Sequence, residues 1–407
     1  MMEKKRKVIV SGMRPTGKLH LGHYFGVIRN WLKLQEEEGE RFFFIADWHA
    51  LTTSYTDTER LKENIENLML DWLACGLDPD KNTLFIQSLV KEHAELYLLF
   101  GMITPKSWLE LNPTYKDLKY NLLKLHELKE SFRQKVEKLI PLLLEGVDIK
   151  VEDREGFSEI LKEQLAEALI QALFEGKIEG ELLKRLNIDK KLLSQIDTYG
   201  FLGYPVLQAA DILVYKGNLV PVGEDQLPHI ELTREIARRF NRLYGETFPE
   251  PQPLLTETPK VVGTDGRKMS KSYNNAIYLS DSPQEVEQKV KRMVTDPRRV
   301  RKTDPGRPEV CPVFTLHKLF TDPQRVEMIE EDCRSARIGC VQCKKILAEN
   351  INAFLDPIRE RRSYYESNRE ELWDIFYRGS ERARKVAKET LEEVRSKMNL
   401  PQGGSDF

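Results

Sequence analysis

Two short stretches hold side chains suited to phosphate chemistry. His20-Leu21-Gly22-His23 sets two imidazoles around a glycine, and Lys268-Met269-Ser270-Lys271-Ser272 sets two ammonium groups three positions apart. Imidazoles can donate to phosphate oxygens, and Gly22 leaves the backbone open to a flat base. Ammonium groups on a polar loop can converge on a polyphosphate and neutralise charge that grows as pyrophosphate leaves. Either stretch alone reads more simply as a solvated loop. Their order and settings point to two halves of one nucleotide site, with His20, His23, Lys268 and Lys271 as the candidate catalytic groups.

Those residues need a scaffold, and the flanking pattern supplies one. Lys7-Val8-Ile9-Val10 reads as a strand, Ser11-Gly12-Met13-Arg14-Pro15-Thr16-Gly17 as a turn, and Val27, Ile28, Trp31, Leu32 and Leu34 as a helix stopped by Gly39. A strand, a glycine-bearing turn and a helix N-terminus form an anion site, because unpaired N–H groups and the helix dipole face the turn. Phe42 to Ala46 is an apolar run fit for a central parallel strand, ending at Asp47-Trp48-His49. Thr56 and Glu59 suit a capping box ahead of a helix with Leu61, Ile65, Leu68, Met69, Trp72 and Leu73, closed by Gly76. Thr83 to Ile86 is the next strand. Farther on, Gly203 to Leu213 reads as loop and helix, and Leu219 to Gln226 as a buried strand with a polar end. The alternation implies an α/β fold, a doubly wound, Rossmann-like parallel sheet.

With 407 residues and 40% hydrophobic content, the chain can bury a large core and fill two or three domains. A net charge of -2 excludes a wholly basic nucleic-acid coat. A local basic face exists in Lys289, Lys291, Arg292, Arg298, Arg299, Arg301, Lys302 and Arg307, which reads as an RNA contact or as a solvated helix and loop. No apolar run approaches the roughly 20 residues that span a bilayer, and the basic opening leads straight into the site without a signal-type apolar core. A cytoplasmic protein with neither membrane nor DNA partners is expected. Between Lys119 and about Gln195 the chain turns to charged, leucine-spaced helices, with Leu161, Leu165, Leu169 and Leu173 as an example.

With both signatures quoted, the chain resembles the class I aminoacyl-tRNA synthetases of the tryptophanyl type, whose signatures are an HIGH-type tetrad and a KMSKS loop. The resemblance covers most of the chain and is weakest from Leu118 to Gln195. It implies a catalytic domain over 1–118 and 196–280, a helical insertion at 119–195, and an α-helical anticodon-binding domain over 281–407. It further implies ATP with Mg²⁺, L-tryptophan and tRNA(Trp) as ligands, and a homodimer. By position, ATP would meet Arg14, Thr16, Gly17, His20, Gly22, His23, Gly223, Asp225, Lys268, Met269, Ser270 and Lys271. Tryptophan would meet Val10, His49, Tyr204, Gln208, Asp211, Val220, Val222 and Gln226. Within that set, Asp211 would accept the indole N–H and Tyr204 would close the ring pocket. Gln226 and His49 would hold the α-amino end. The insertion could contact the acceptor arm, extend a dimer or form a neutral surface bundle.

Two positions depart from the family pattern. Gln208 stands where many members carry methionine and resembles the tyrosyl pocket, so a tyrosyl-tRNA synthetase is the runner-up. An indole needs one acceptor in a wide slot, whereas a phenol needs a donor and an acceptor. Leu118 stands where a phosphate-contacting lysine is common, and Arg14 or Lys116 could take its place. A synthetase-like adenylyltransferase or a tRNA-binding regulator is the remaining alternative.

Five cysteines in a chain without an export signal do not form a disulfide framework. Four of them, Cys311, Cys333, Cys340 and Cys343, have a C-x21-C-x6-C-x2-C spacing that suits a [4Fe–4S] cluster, Zn²⁺ or unmetallated thiols. A subset of the tryptophanyl family has a similar set holding an iron–sulfur cluster, which the resemblance favours here. Cys75, on an apolar helix face, belongs to the core.

Overall fold

The computed structural model describes residues 6–144, 198–255 and 261–401, with positions 164, 167, 168, 171 and 181. Five strands form one parallel sheet: β1 (Val8–Met13), β2 (Glu40–Ile45), β3 (Thr83–Ile86), β4 (Leu219–Val222) and β5 (Gln252–Leu255). Their order is β3-β2-β1-β4-β5. This is the doubly wound α/β sheet expected from the alternating pattern. β5 is not foreseen by that pattern, because Gln252-Pro253-Leu254-Leu255 is short and proline-bearing; Pro253 is tolerated because the strand lies on the sheet edge.

The apolar runs of β2 and β3 are explained by covered faces. Trp31 stacks on Phe43 of β2 with centroids 4.4 Å apart, and Trp72 meets Trp31 edge-on at 5.0 Å. Helix Leu61–Cys75 supplies Trp72 and ends where Gly76 adopts φ +102°, a left-handed conformation that glycine accepts without strain. The Thr56–Glu59 capping box does not form. The helix starts after Arg60, with no side-chain cap.

The strand order reverses at β1, whose neighbours are β2 and β4. The chain leaves their carboxyl ends in opposite directions there, which opens the crevice in which such folds bind ligands.

The described chain divides into two compact units, Met1–Ile103 with Val206–Phe407, and Thr104–Pro205. In the first, the C-terminal part is helical, with helices Pro283–Arg292, Pro312–Phe320, Pro323–Arg334, Cys340–Ser367 and Arg369–Lys397. Helix Arg369–Lys397 covers the outer strand β3: Ser380 Oγ accepts the Ile86 N–H at 3.3 Å. The second unit contains helix Pro113–Leu144, on which Leu118 lies, and the start of helix Tyr199–Leu213, where the Tyr204 hydroxyl accepts from Asn112 Nδ2 at 3.1 Å. Leu161, Leu165, Leu169 and Leu173 lie outside the described residues.

Candidate active site

The two signature stretches meet beyond the carboxyl end of β1. His20 caps the helical run that begins with Leu21: its Nδ1 accepts the Gly22 N–H at 3.1 Å, while His23 Nδ1 accepts the His20 N–H at 3.2 Å. With both Nδ1 atoms accepting, each neutral ring carries its proton on Nε2 and presents that N–H as a donor. Burial, and then the Lys271 charge, lowers the His20 pKa to about 4; burial, then His20 and Lys271, lowers that of His23 to about 3. Both rings are therefore neutral donors at physiological pH.

Lys271 Nζ donates to the Thr16 carbonyl at 2.9 Å, beside Gly17, whose φ of +99° suits glycine. Burial lowers the Lys271 pKa to about 8. Met269 is buried against Gly22, whose added Cβ would stand 3.9 Å from Met269 Cβ. Asn275 staples the loop from within: its Oδ1 accepts the Ser270 N–H at 2.8 Å, and its Nδ2 donates to Asp265 at 2.7 Å and to the Lys268 carbonyl at 3.2 Å. Lys268 is exposed, and Arg14 bonds to Thr53 Oγ1.

A second cluster lies past the ends of β2 and β3, around Asp211. This carboxylate is fully buried. Its Oδ1 accepts from Gln87 Nε2 at 2.7 Å and His93 Nδ1 at 2.6 Å, and its Oδ2 accepts from His49 Nε2 at 2.7 Å. Burial alone would raise its pKa, but the bonds from His49 and His93 outweigh burial and hold it at about 2. An ionised carboxylate offers about four acceptor positions. Among the described residues three are filled, two on Oδ1 and one on Oδ2, the last by the partly exposed His49. Gln208 sits half-buried on the same helix as Asp211, and Val220 is buried on β4 with Val222 partly so. Val10 is fully buried and packs beside Gly217, within the core. Past β4, Gly223 adjoins Asp225, whose Oδ2 accepts from Gln226 Nε2 at 2.9 Å.

The model of the family described as tRNA synthetases class I (W and Y) matches residues 2–148 and 161–356. The chain belongs to that family. A tryptophan–tRNA ligase of Aquifex aeolicus is 66% identical to the synthetase over 97% of this chain and 100% of the relative. One from Thermotoga maritima is 47% identical over 96% and 99%. The crystal structure of a Campylobacter jejuni tryptophanyl-tRNA synthetase complexed with ADP and tryptophan is 30% identical, covers 97% of this chain and 100% of its own, and superposes with a TM-score of 0.73.

The four cysteines of the synthetase gather at helix ends. Cys311 precedes helix Pro312–Phe320, Cys333 closes Pro323–Arg334, and Cys340 and Cys343 open Cys340–Ser367. Burial, then the other three thiols, pushes the Cys343 pKa up to about 12. Arg299 Nη1 donates to Cys333 Sγ at 3.6 Å, and His317 Nε2 lies 3.4 Å from Cys343 Sγ. The thiols thus sense one another, but among the described residues no group of three or more His, Cys, Asp or Glu side chains is placed to hold a metal ion.

Of the basic cluster, Arg307 is paired with Asp296 at 2.6 Å, Lys289 with Asp281 at 2.6 Å, and Arg299 donates to the Ile338 carbonyl at 2.7 Å. Lys291, Arg292, Arg298, Arg301 and Lys302 are exposed. Among the described residues, no helix is long and apolar enough to cross a membrane. Sequence reasoning missed Gln87, His93, Tyr215, Asp71 and Asn275. None carries a motif, and only the polar end of β3 hinted at Gln87.

Proposed function

We propose that this synthetase activates L-tryptophan with ATP to tryptophanyl-adenylate and transfers the aminoacyl group to tRNA(Trp). The observation that carries the choice of amino acid is Asp211, a buried, ionised acceptor with three bonds among the described residues, two on Oδ1 and one on Oδ2, a set that suits the single N–H of an indole. A phenol would need a donor as well as an acceptor there. The tyrosyl alternative is therefore disfavoured, as are a bare adenylyltransferase and a tRNA-binding regulator.

The tryptophan carboxylate is already ionised and needs no general base to attack the α-phosphorus, so positioning and charge stabilisation carry the rate. The Nε2–H groups of His20 and His23 bind phosphate oxygens, and Lys268 and Lys271 neutralise the leaving pyrophosphate. Arg14, Thr16, Gly17, Gly22, Met269 and Ser270 frame the nucleotide, and Gly223 and Asp225 its ribose. Mg²⁺ accompanying ATP would supply further charge screening for the phosphates. His49, Gln208, Val220, Val222 and Gln226 surround the amino acid. ATP–pyrophosphate exchange with each proteinogenic amino acid tests this reading: only tryptophan should support exchange, and exchange with tyrosine in its place would overturn it.

The same reading gives the helices beyond Asp281 an anticodon-binding role, with Lys291, Arg292, Arg298, Arg301 and Lys302 facing RNA, in a cytoplasmic homodimer. Cys311, Cys333, Cys340 and Cys343 would hold a [4Fe–4S] cluster, with Zn²⁺ as the alternative. The support is the spacing of the four thiols and their place at helix ends, with Cys333 and Cys343 held protonated by burial and by the neighbouring thiols, an opposition that a bound cation would relieve. Its role would be structural, and no step of activation passes through it. Anaerobic purification with iron, sulfide and zinc analysis decides between the two. Cys343→Ser with unaltered tRNA affinity would separate the site from anticodon binding.

A further inference from the structure

Helix Cys340–Ser367 buries Leu347, Ala348, Ile351, Leu355, Ile358 and, with them, Arg362. An arginine with 5% of its side chain exposed, paired with an aspartate at 0%, is an expensive element for a helix interface. Apolar residues of similar volume are often as stable, so packing alone does not call for the pair.

The pair does reach a functional segment. Arg362 donates through Nη1 to Asp71 Oδ1 and through Nη2 to Asn67 Oδ1 at 2.8 Å. The other oxygen of Asp71 accepts the backbone N–H of Leu19 at 2.8 Å, directly before His20. The Leu19 carbonyl in turn accepts the Leu279 N–H at 2.9 Å, and Leu21 N–H donates to the Ile277 carbonyl at 3.0 Å. His20 is thus gripped between Asp71 and the 277–279 segment. One turn earlier on the same helix, Arg359 Nε donates to the Asp281 carbonyl at 2.7 Å, and Asp281 Oδ2 accepts the Tyr278 N–H at 2.8 Å. Tyr278 is the residue bridged to His20. Two arginines on one helix therefore anchor both sides of the His20 segment.

We propose that Arg362, acting through Asp71, is a positioning residue for His20, so that helix Cys340–Ser367 sets the geometry of the phosphate site without touching the nucleotide. The inference rests on the reading of His20 and His23 as phosphate ligands. Its substrate signature is selective, since the Leu19 N–H holds the ATP half of the site and not the Asp211 cluster.

The test measures ATP–pyrophosphate exchange, KM for ATP and for tryptophan, and thermal melting for Arg362→Met, Arg362→Lys and the double variant Asp71→Leu/Arg362→Met. The single Met variant leaves a buried carboxylate unpaired and is expected to melt lower. The double variant removes that charge and should regain most of the melting temperature, while kcat/KM for ATP stays at least about tenfold down with tryptophan KM unchanged. Arg362→Lys, which keeps the charge, should recover part of the ATP parameter. A double variant with wild-type ATP kinetics would overturn the proposal, as would equal losses for both substrates. His20→Ala is the control for the underlying reading: if it exchanges normally, the phosphate assignment itself fails, and if it is slow while the double variant is normal, only the role of Arg362 fails.

Discussion

His93 Nδ1 stands 2.6 Å from Asp211 Oδ1, while His93 Nε2 stands 2.6 Å from the Tyr215 hydroxyl. The Tyr215 pKa is raised well above its usual value by burial and then by the Asp211 charge, so the phenol keeps its proton and donates it to His93. The imidazole must then place its own proton on Nδ1, toward the carboxylate. The chain Tyr215, His93, Asp211 fixes the direction of the bond onto Oδ1.

Asp211→Asn exchanges an acceptor for an amide that must turn its NH₂ toward His93, Gln87 or His49. The loss is expected to fall on tryptophan: kcat/KM for tryptophan drops at least about tenfold, or 1.4 kcal/mol, with KM for ATP unchanged. Tyr215→Phe removes one hydrogen bond from the end of the chain and should cost about 1 kcal/mol in the same parameter. Steady-state kinetics with each substrate varied in turn provide the measurement. Equal effects on ATP and tryptophan would place Asp211 outside the amino-acid site.

Lys271 carries a pH dependence with a definite sign. In the proposed role it must be protonated to neutralise phosphate, and burial lowers its pKa to about 8, so the useful charge is lost as pH rises through about 8. The kcat/KM for ATP, which reports the free enzyme, should fall along that alkaline limb. Bound phosphates favour the ammonium, so the kcat profile should fall at higher pH. Lys271→Arg should push the limb beyond the accessible range. His20 and His23, already neutral above about 4 and 3, supply no limb near neutrality. An unchanged alkaline limb in Lys271→Arg would assign it to another group.

Legibility in the sequence followed how local each determinant is. β1, β2 and β3 were readable from contiguous apolar runs, and the Gly76 helix stop from one residue with an unusual conformational need. The two stretches proposed to bind phosphate were readable because each holds its candidate side chains within one short contiguous segment. Asp211 became visible only through family resemblance. Its partners Gln87 and His93, and Tyr215 behind His93, stayed hidden, because they come from three elements and converge only when the sheet forms. The capping box failed for a related reason: Thr56 and Glu59 have the right spacing, but the helix begins after Arg60.

Asn275 tests whether the lysine loop must be preorganised. It is 1% exposed and ties Ser270, Lys268 and Asp265 together with bonds of 2.7 to 3.2 Å. Asn275→Ala should slow pyrophosphate exchange by at least about tenfold without touching any phosphate itself, the same scale expected for Lys268→Ala. Combining the two should give less than the product of the single losses, because both act on one loop. Fully multiplicative losses would mean that Asn275 acts elsewhere.

Gly379 gives a prediction on the fold that carries both sites. Helix Arg369–Lys397 crosses β3 so closely that a Cβ at Gly379 would lie 1.8 Å from the Leu84 carbonyl oxygen. Alanine is the better helix former by about 1 kcal/mol, so helix propensity alone favours Gly379→Ala. Contact decides the sign. Overpacking costs about 1–3 kcal/mol where neighbours can adjust, and here the obstacle is strand backbone, so the helix must lift and expose the β3 edge. Net destabilisation of at least about 2 kcal/mol is expected in chemical denaturation. Gly200, on helix Tyr199–Leu213, has nothing among the described residues within 4 Å of an added methyl, and Gly200→Ala should be neutral or stabilising. Opposite signs for the same substitution in two helices isolate close approach as the cause, and a Gly379→Ala protein as stable as the parent would show that the helix does not sit on β3 at this distance.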